Sequence, residues 1–169
     1  SLFPELDPQL ALPLLCQFVH DIEIDDLALR HAASHAVVLL VRHAATEQHE
    51  AAAGGQSADP THRWRSLLTQ VAMPAMQRGL RLPPTKEVVR LEMLRLLSET
   101  QSADPTLEPQ MAALRSDDDP EVDFYLNITH IQLPRRQRAL TRLRHRIDVG
   151  EFEPRVLSTY LLPLALHIV

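Results

Sequence analysis

The sequence contains little cysteine or glycine and no long hydrophobic run. The single cysteine, Cys16, excludes an internal disulfide framework, fits a reducing compartment, and is predicted to be a small core residue. Only four glycines are present, and Gly54-Gly55 lacks the Lys-Ser/Thr pair that follows a phosphate-binding loop. No apolar run approaches the roughly 20 residues that a membrane-spanning helix needs. These absences argue against a disulfide scaffold, a P-loop protein and a membrane protein.

The composition predicts a folded chain whose positive charge is local. Hydrophobic residues make up 45% of the 169 positions and charged residues 23%, which is too apolar for general disorder. The net charge of −5 argues against a wholly basic nucleic-acid-binding domain. Any contact with nucleic acid must therefore depend on a basic patch.

The predicted fold class is all-α, because strand-type alternation is nearly absent. Proline is favoured at the first position of a helix, and an aspartate before it can cap that helix. Four Asp-Pro pairs fit this signature: Asp7-Pro8, Asp59-Pro60, Asp104-Pro105 and Asp119-Pro120. The predicted helices are 8–21, 25–48, 61–79, 85–99, 105–115, 120–129, 134–149 and 154–168. Pro74 is predicted to kink or split the third of them.

Two observations favour HEAT-like helical repeats, arranged as a segment of an α-solenoid. The hexapeptide at 56–61 recurs unchanged at 101–106, an offset of 45 residues, and the HEAT period is roughly 40 to 47. A chance repeat in two polar loops is the alternative. The helix around residue 91 carries two apolar stripes, as a helix covered on both sides does. One stripe is Val88, Leu91 and Leu94, and the other is Val89, Met93 and Leu96. We assign residues 1–80 to helical repeats and 81–169 to a HEAT-like segment.

Charge is sorted by sign near the end of the chain. Five carboxylates and no base lie between Asp117 and Asp123, and six arginines and no acid lie between Arg135 and Arg146. Such sorting indicates contacts with other molecules or between the two segments.

Four of these arginines share one side of the predicted helix. We call Arg135, Arg138, Arg142 and Arg146 the arginine row. The row is predicted to lie opposite an inward stripe of Leu140, Leu143 and Ile147, with Ala139 at its edge. Like charges at this spacing repel each other, so the row is predicted to bind an anionic partner, with a solvated helix face as the alternative.

Arg136 is predicted to lie near the apolar stripe, partly covered. A guanidinium in that position keeps its charge when it forks onto a carboxylate. We predict a structural ion pair between Arg136 and Asp123, with Glu121 and Asp119 as alternative partners.

The same stretch resembles a known family in its motifs. The chain reads Glu121-Val122-Asp123-Phe124-Tyr125, Asn127-Ile128, His130-Ile131-Gln132 and Arg135-Arg136-Gln137-Arg138-Ala139-Leu140. This pattern resembles the very large HEAT-repeat proteins of the small-subunit processome, also called the down-regulated-in-metastasis family. The resemblance covers about residues 87–168, and residues 1–80 carry no matching motif. Pro134 stands where the family usually has histidine, and Tyr125 replaces a second phenylalanine.

The resemblance implies a nucleolar scaffold in ribosome biogenesis and pre-rRNA processing. Its implied partners are pre-ribosomal RNA and small-subunit processome proteins, and it implies no catalytic residue, cofactor, metal or small-molecule substrate. A solenoid suits this role because its long surface can touch RNA and several proteins at once. The missing initiator Met and the apolar residues 164–169 at the end lead us to expect an excerpt of a longer protein.

Two other functions remain as alternatives. A generic helical-repeat adaptor would bind acidic protein surfaces through the arginine row. A metal-dependent hydrolase would depend on histidine, of which there are nine. Only His31 and His35 have ligand-like spacing, and the glutamate of the zinc-protease motif is absent because Ala32 stands there.

Overall fold

The computed structural model describes residues 8–54 and 64–168, where the chain forms helices and turns with no β-strand. The all-α prediction is therefore confirmed. Residue contacts divide the chain into two compact units, 1–78 and 79–169. The assignment of helical repeats to 1–80 and 81–169, and their solenoid arrangement, stay predictions.

The helices lie close to their predicted ranges, with two main exceptions. In chain order the α-helices are Pro8–Glu23, Leu27–Gly54, Met73–Leu80, Glu87–Ala103, Pro109–Ala112, Phe124–Ile128, Leu133–Asp148, Pro154–Val156 and Leu162–Ile168. Residues 64–67 are also helical. The helix predicted at 105–115 is reduced to Pro109–Ala112, and the helix predicted at 120–129 is reduced to Phe124–Ile128. No helix in the described part of the chain combines the length and apolar character needed to cross a membrane.

The first unit is built on the packing of Pro8–Glu23 against Leu27–Gly54. Ala11, Leu15 and Ile22 form the buried stripe of the first helix, and the prediction that Cys16 is a core residue is wrong because its side chain is exposed. Arg30 is buried near the end of the first helix and donates to the carbonyls of Ile22 and Ile24, at 3.1 and 2.8 Å. These bonds satisfy carbonyl groups near the end of that helix.

Two prolines follow π-helical turns inside longer helices. The N–H of Met73, just before Pro74, donates to the carbonyl of Leu68, and the N–H of Leu162, just before Pro163, donates to that of Leu157. Proline lacks an N–H, and its ring clashes with the carbonyl four residues earlier. A π-type hydrogen bond, from the N–H of one residue to the carbonyl five residues earlier, widens the helix at this point and makes room for the ring. Pro74 therefore widens a turn, and the helix continues past it.

The helix Glu87–Ala103, which we call the core helix, is buried mainly on one side. Val89, Met93 and Leu96 are buried as predicted. In the second predicted stripe Leu94 is buried, whereas Val88 and Leu91 are exposed. The predicted coverage of both faces is therefore only partly present.

Asp104-Pro105 and Asp119-Pro120 form turns, and the prediction that they begin helices is wrong. Asp104 Oδ1 accepts the N–H of Thr106 at 3.0 Å, and Asp119 Oδ1 accepts the N–H of Glu121 at 2.9 Å. Each carboxylate closes an Asx turn, which uses the same acceptor that helix capping would use. The predictions on Asp7, on Asp59-Pro60 and on the first hexapeptide, 56–61, lie outside the described residues.

Candidate nucleic-acid interface

The helix Leu133–Asp148, which we call the arginine helix, begins and ends at clear local signals. Pro134 occupies the first turn, where its missing N–H costs no hydrogen bond. At the other end Gly150 has a φ of 78°, a left-handed conformation that glycine adopts readily. The N–H of Gly150 donates to Ile147 and that of Glu151 to Arg146, at 2.9 and 3.1 Å. This Schellman arrangement ends the helix and turns Glu151 back toward the arginine row.

The arginine row lies beside the buried stripe of the arginine helix. Ala139 and Leu143 are the buried residues, Leu140 is half-buried, and Ile147 is exposed. The inward direction is therefore shifted from the predicted stripe toward Ala139, and the prediction that the row lies opposite it is wrong. This shift brings the row against the acidic segment Asp117–Asp123.

Glu121 binds three members of the arginine row. Its Oε1 pairs with Arg135 Nη2, and its Oε2 lies 3.1 Å from Arg138 Nη2. Its main-chain carbonyl accepts Nη1 of Arg142 at 2.5 Å. The sorting of charge along the sequence therefore reflects, at least in part, pairing between the two segments.

Arg146 is held by three groups of the second unit. Its Nε donates to Oε2 of Glu151 at 2.5 Å and its Nη1 to the carbonyl of Ala113 at 2.9 Å. Its guanidinium carbon also lies 5.4 Å from the ring centroid of Phe152, a cation–π distance. Arg146 is therefore the most firmly positioned member of the row.

The guanidinium groups of Arg138 and Arg142 are the accessible part of the row. The Arg138 side chain is 50% exposed, and its partner Glu121 is 48% exposed. Arg142 is exposed and forms no ion pair with any carboxylate of the described residues. Four guanidinium groups face the two carboxylates of Glu121 and Glu151, so the row keeps an excess of two positive charges. Chemically, the site is suited to bind phosphate or carboxylate groups.

The ion pair predicted between Arg136 and Asp123 does not form within the described residues. Asp123 is buried and caps the helix Phe124–Ile128, because its Oδ1 accepts the N–H of Leu126 at 2.7 Å. Its Oδ2 accepts the N–H of Ser116, outside that helix, at 3.0 Å. Arg136 is half-buried, as predicted, but its Nε is buried without a hydrogen-bond partner. The carboxylate of Asp123 accepts main-chain donors instead of the predicted guanidinium.

Buried polar groups fix the segment that carries Glu121. Asn127 Nδ2 donates to the carbonyls of Pro120 and Asp123, at 2.7 and 2.6 Å. The hydroxyl of Tyr125 donates to the carbonyl of Met111 at 3.1 Å, and burial raises the pKa of this phenol above its ordinary value. The phenol therefore stays protonated and keeps its donor role. Sequence reasoning did not find the roles of Asn127 and Glu151.

No metal site is evident in the described part of the chain, because no group of three His, Cys, Asp or Glu side chains there is arranged to hold an ion.

The fold and the site define an all-helical protein with an arginine-lined surface that is braced by an acidic segment. The chain is similar to "U3 small nucleolar RNA-associated protein 20" of Saccharomyces cerevisiae, with 34% identity over 161 residues. The similarity covers 94% of this chain and only 6% of the yeast protein. The chain is therefore a partial homologue of that protein. No protein-family model matches the sequence.

Proposed function

We propose that this chain is a non-enzymatic, HEAT-like scaffold segment of a small-subunit processome component in the nucleolus. In this role it supports ribosome biogenesis and pre-rRNA processing, and the arginine row contacts RNA. The observation that carries the proposal is the 34% identity, over nearly the whole chain, to a protein named for its association with the U3 small nucleolar RNA. The exposed guanidinium groups of Arg138 and Arg142 supply a matching phosphate-binding surface.

The cellular role is tested by the RNA that copurifies with the full-length protein carrying this segment. We expect the U3 small nucleolar RNA to be enriched with the tagged protein, relative to an unrelated small nuclear RNA measured in the same sample. We also expect precursors of the small-subunit rRNA to accumulate when the protein is depleted. Equal recovery of both RNAs, with normal precursor levels after depletion, would contradict the proposal.

A second candidate is a helical-repeat adaptor that binds acidic protein surfaces. The specific observation in its favour is that the arginine row already binds the carboxylate of Glu121. A carboxylate from a partner could take the same place. The two candidates differ in ligand, so RNA and acidic peptide binding must be measured side by side.

Removing the charge of Glu121 is expected to strengthen RNA binding. The carboxylate of Glu121 competes with phosphate for Arg135 and Arg138. Exposed ion pairs contribute only about 0–1 kcal/mol each, so a phosphate can displace this carboxylate at a small cost. In Glu121→Gln we expect tighter binding of a single-stranded RNA oligonucleotide. The slope of log K against log salt should become steeper by about 0.7, because one further phosphate contact to the single strand forms. Fluorescence anisotropy at several salt concentrations measures both effects.

The matched control is Asp148→Asn, which also removes one negative charge, at the end of the arginine helix and away from the row. Asp148 lies 3.6 Å from Arg144, outside the row, and both side chains are largely exposed. Equal gains in the two variants would show a bulk charge effect and remove Glu121 as a specific competitor.

A further inference from the structure

An apolar pocket lies beside the arginine row, between the arginine helix and the segment after Pro109–Ala112. Its volume is about 340 Å³, at the lower end of the range of roughly 300–1,000 Å³ for small-ligand sites. The floor is made by buried Leu114, Phe124, Ala139 and Leu143, and by the more exposed Val122 at one edge. The pocket has room for one or two apolar side chains of a partner.

The rim of this pocket is cationic. Arg142, Arg146 and Arg115 line it together with His145, and no Asp or Glu is among the described residues that line it. Arg115 and Arg146 are paired with Asp117 and Glu151, so Arg142 is the guanidinium that keeps its charge without an ion-pair partner among the described carboxylates. An exposed cation beside an apolar floor fits a ligand that carries an apolar group and a nearby anion.

We infer that this pocket binds an acidic peptide segment of a partner protein, with one large apolar side chain inserted as an anchor. The anchor covers Val122 and the floor, and a neighbouring carboxylate pairs with Arg142. This inference deepens the adaptor candidate and does not rest on RNA contact.

A peptide side chain fits this pocket better than an RNA base. Proteins bind bases by stacking on aromatic faces and by hydrogen bonds to the base edges. Among the described residues that line the pocket, Phe124 is the aromatic residue of the floor, and the imidazole of His145 lies at the rim. Phe124 is buried against Tyr125: the ring centroids are 5.8 Å apart and the ring planes lie at 76°. A base would lose the hydration of its polar edges without gaining partners on the apolar floor, whereas an aliphatic or aromatic side chain has no such cost.

The test is selection of peptides from a random displayed library on the 169-residue chain, followed by fluorescence anisotropy with the selected peptides. We expect them to share a large apolar residue with two or more acidic residues close to it. Replacement of that apolar residue by alanine should weaken binding by about tenfold or more, as expected for an anchor in a pocket.

Val122→Glu is the informative variant, because Val122 is exposed and lines the pocket. We expect it to weaken peptide binding by about tenfold, through repulsion and loss of apolar contact. Val149→Glu is the matched control, since Val149 is similarly exposed and does not line this pocket. Circular dichroism of both variants checks the fold. Arg142→Ala, on the exposed rim, is a second variant that should weaken binding.

Three outcomes would overturn the inference. No acidic peptide is selected, or the anchor can become alanine without loss, or the two glutamate variants weaken binding equally. A fourth outcome would replace the peptide with a base: RNA binds more tightly than its abasic analogue, and Val122→Glu abolishes that difference. If the unmodified chain binds the peptides but not RNA, the result counts against the RNA proposal alone. If it binds RNA but no acidic peptide, the result counts against this inference alone.

Discussion

Replacing Arg138 and Arg142 together with alanine is expected to reduce the salt dependence of RNA binding by about 1.5 in log–log slope. Each phosphate contact to a single strand contributes roughly 0.7 to that slope, and somewhat more to a duplex. With three or four arginines in contact, the unmodified chain is expected to show a slope of about −2 to −4. If the two salt lines meet near 1 M, the double variant binds about 30-fold more weakly at 0.1 M salt.

The matched control is Arg95→Ala with Arg144→Ala, which removes the same charge outside the row. Arg95 pairs with Glu92 on the core helix, and Arg144 is 85% exposed. Anisotropy titrations with one RNA oligonucleotide compare the three proteins. A flat salt response of the unmodified chain, or an equal loss in both double variants, would remove the RNA contact and leave the adaptor as the better candidate.

Asp123→Ala is expected to lower the free energy of unfolding of the second unit by about 2–3 kcal/mol. The estimate combines the loss of a helix cap, about 0.5–2 kcal/mol, with a second N–H left without its acceptor. The two N–H groups belong to Leu126 and Ser116. Urea denaturation followed by circular dichroism measures the change, and hydrogen exchange should become faster at these two amides.

Two variants separate the cap from the charge. Asp123→Asn keeps one carboxamide oxygen as an acceptor, so we expect a smaller loss than for alanine. Asp118→Ala removes an exposed carboxylate from the same segment, and we expect a change within about 0.5 kcal/mol. Equal unfolding midpoints for Asp123→Ala and Asp118→Ala would show that Asp123 does not hold this segment.

The elements that the sequence predicted well are those fixed by local signals. The arginine helix was placed at 134–149 and is Leu133–Asp148, because Pro134 and Gly150 mark its ends. The turns at Asp104 and Asp119 were not predicted, since one carboxylate can cap a helix or close an Asx turn. Which of the two forms depends on packing with distant residues, and that information is not local.

The composition of the site was predicted better than its pairing. The arginine row was found from helical spacing alone, but the choice of Glu121 as its partner depends on how the acidic segment folds back. Asp123 was assigned to Arg136 because an N-cap role could not be seen before the start of helix Phe124–Ile128 was known. The motif resemblance covered about residues 87–168, whereas similarity to the yeast protein spans 161 residues.

The position of Glu121 has a consequence for selectivity. The carboxylate of Glu121 acts as an internal counter-ion of the arginine row, and it weakens the attraction of the row for nonspecific polyanions. In the proposed RNA-binding role, binding is an exchange of one anion for another, and a single phosphate gains little from it. A ligand that presents several phosphates at matching spacing replaces the glutamate and also engages Arg142, so dense, folded backbones are favoured over short or isolated ones.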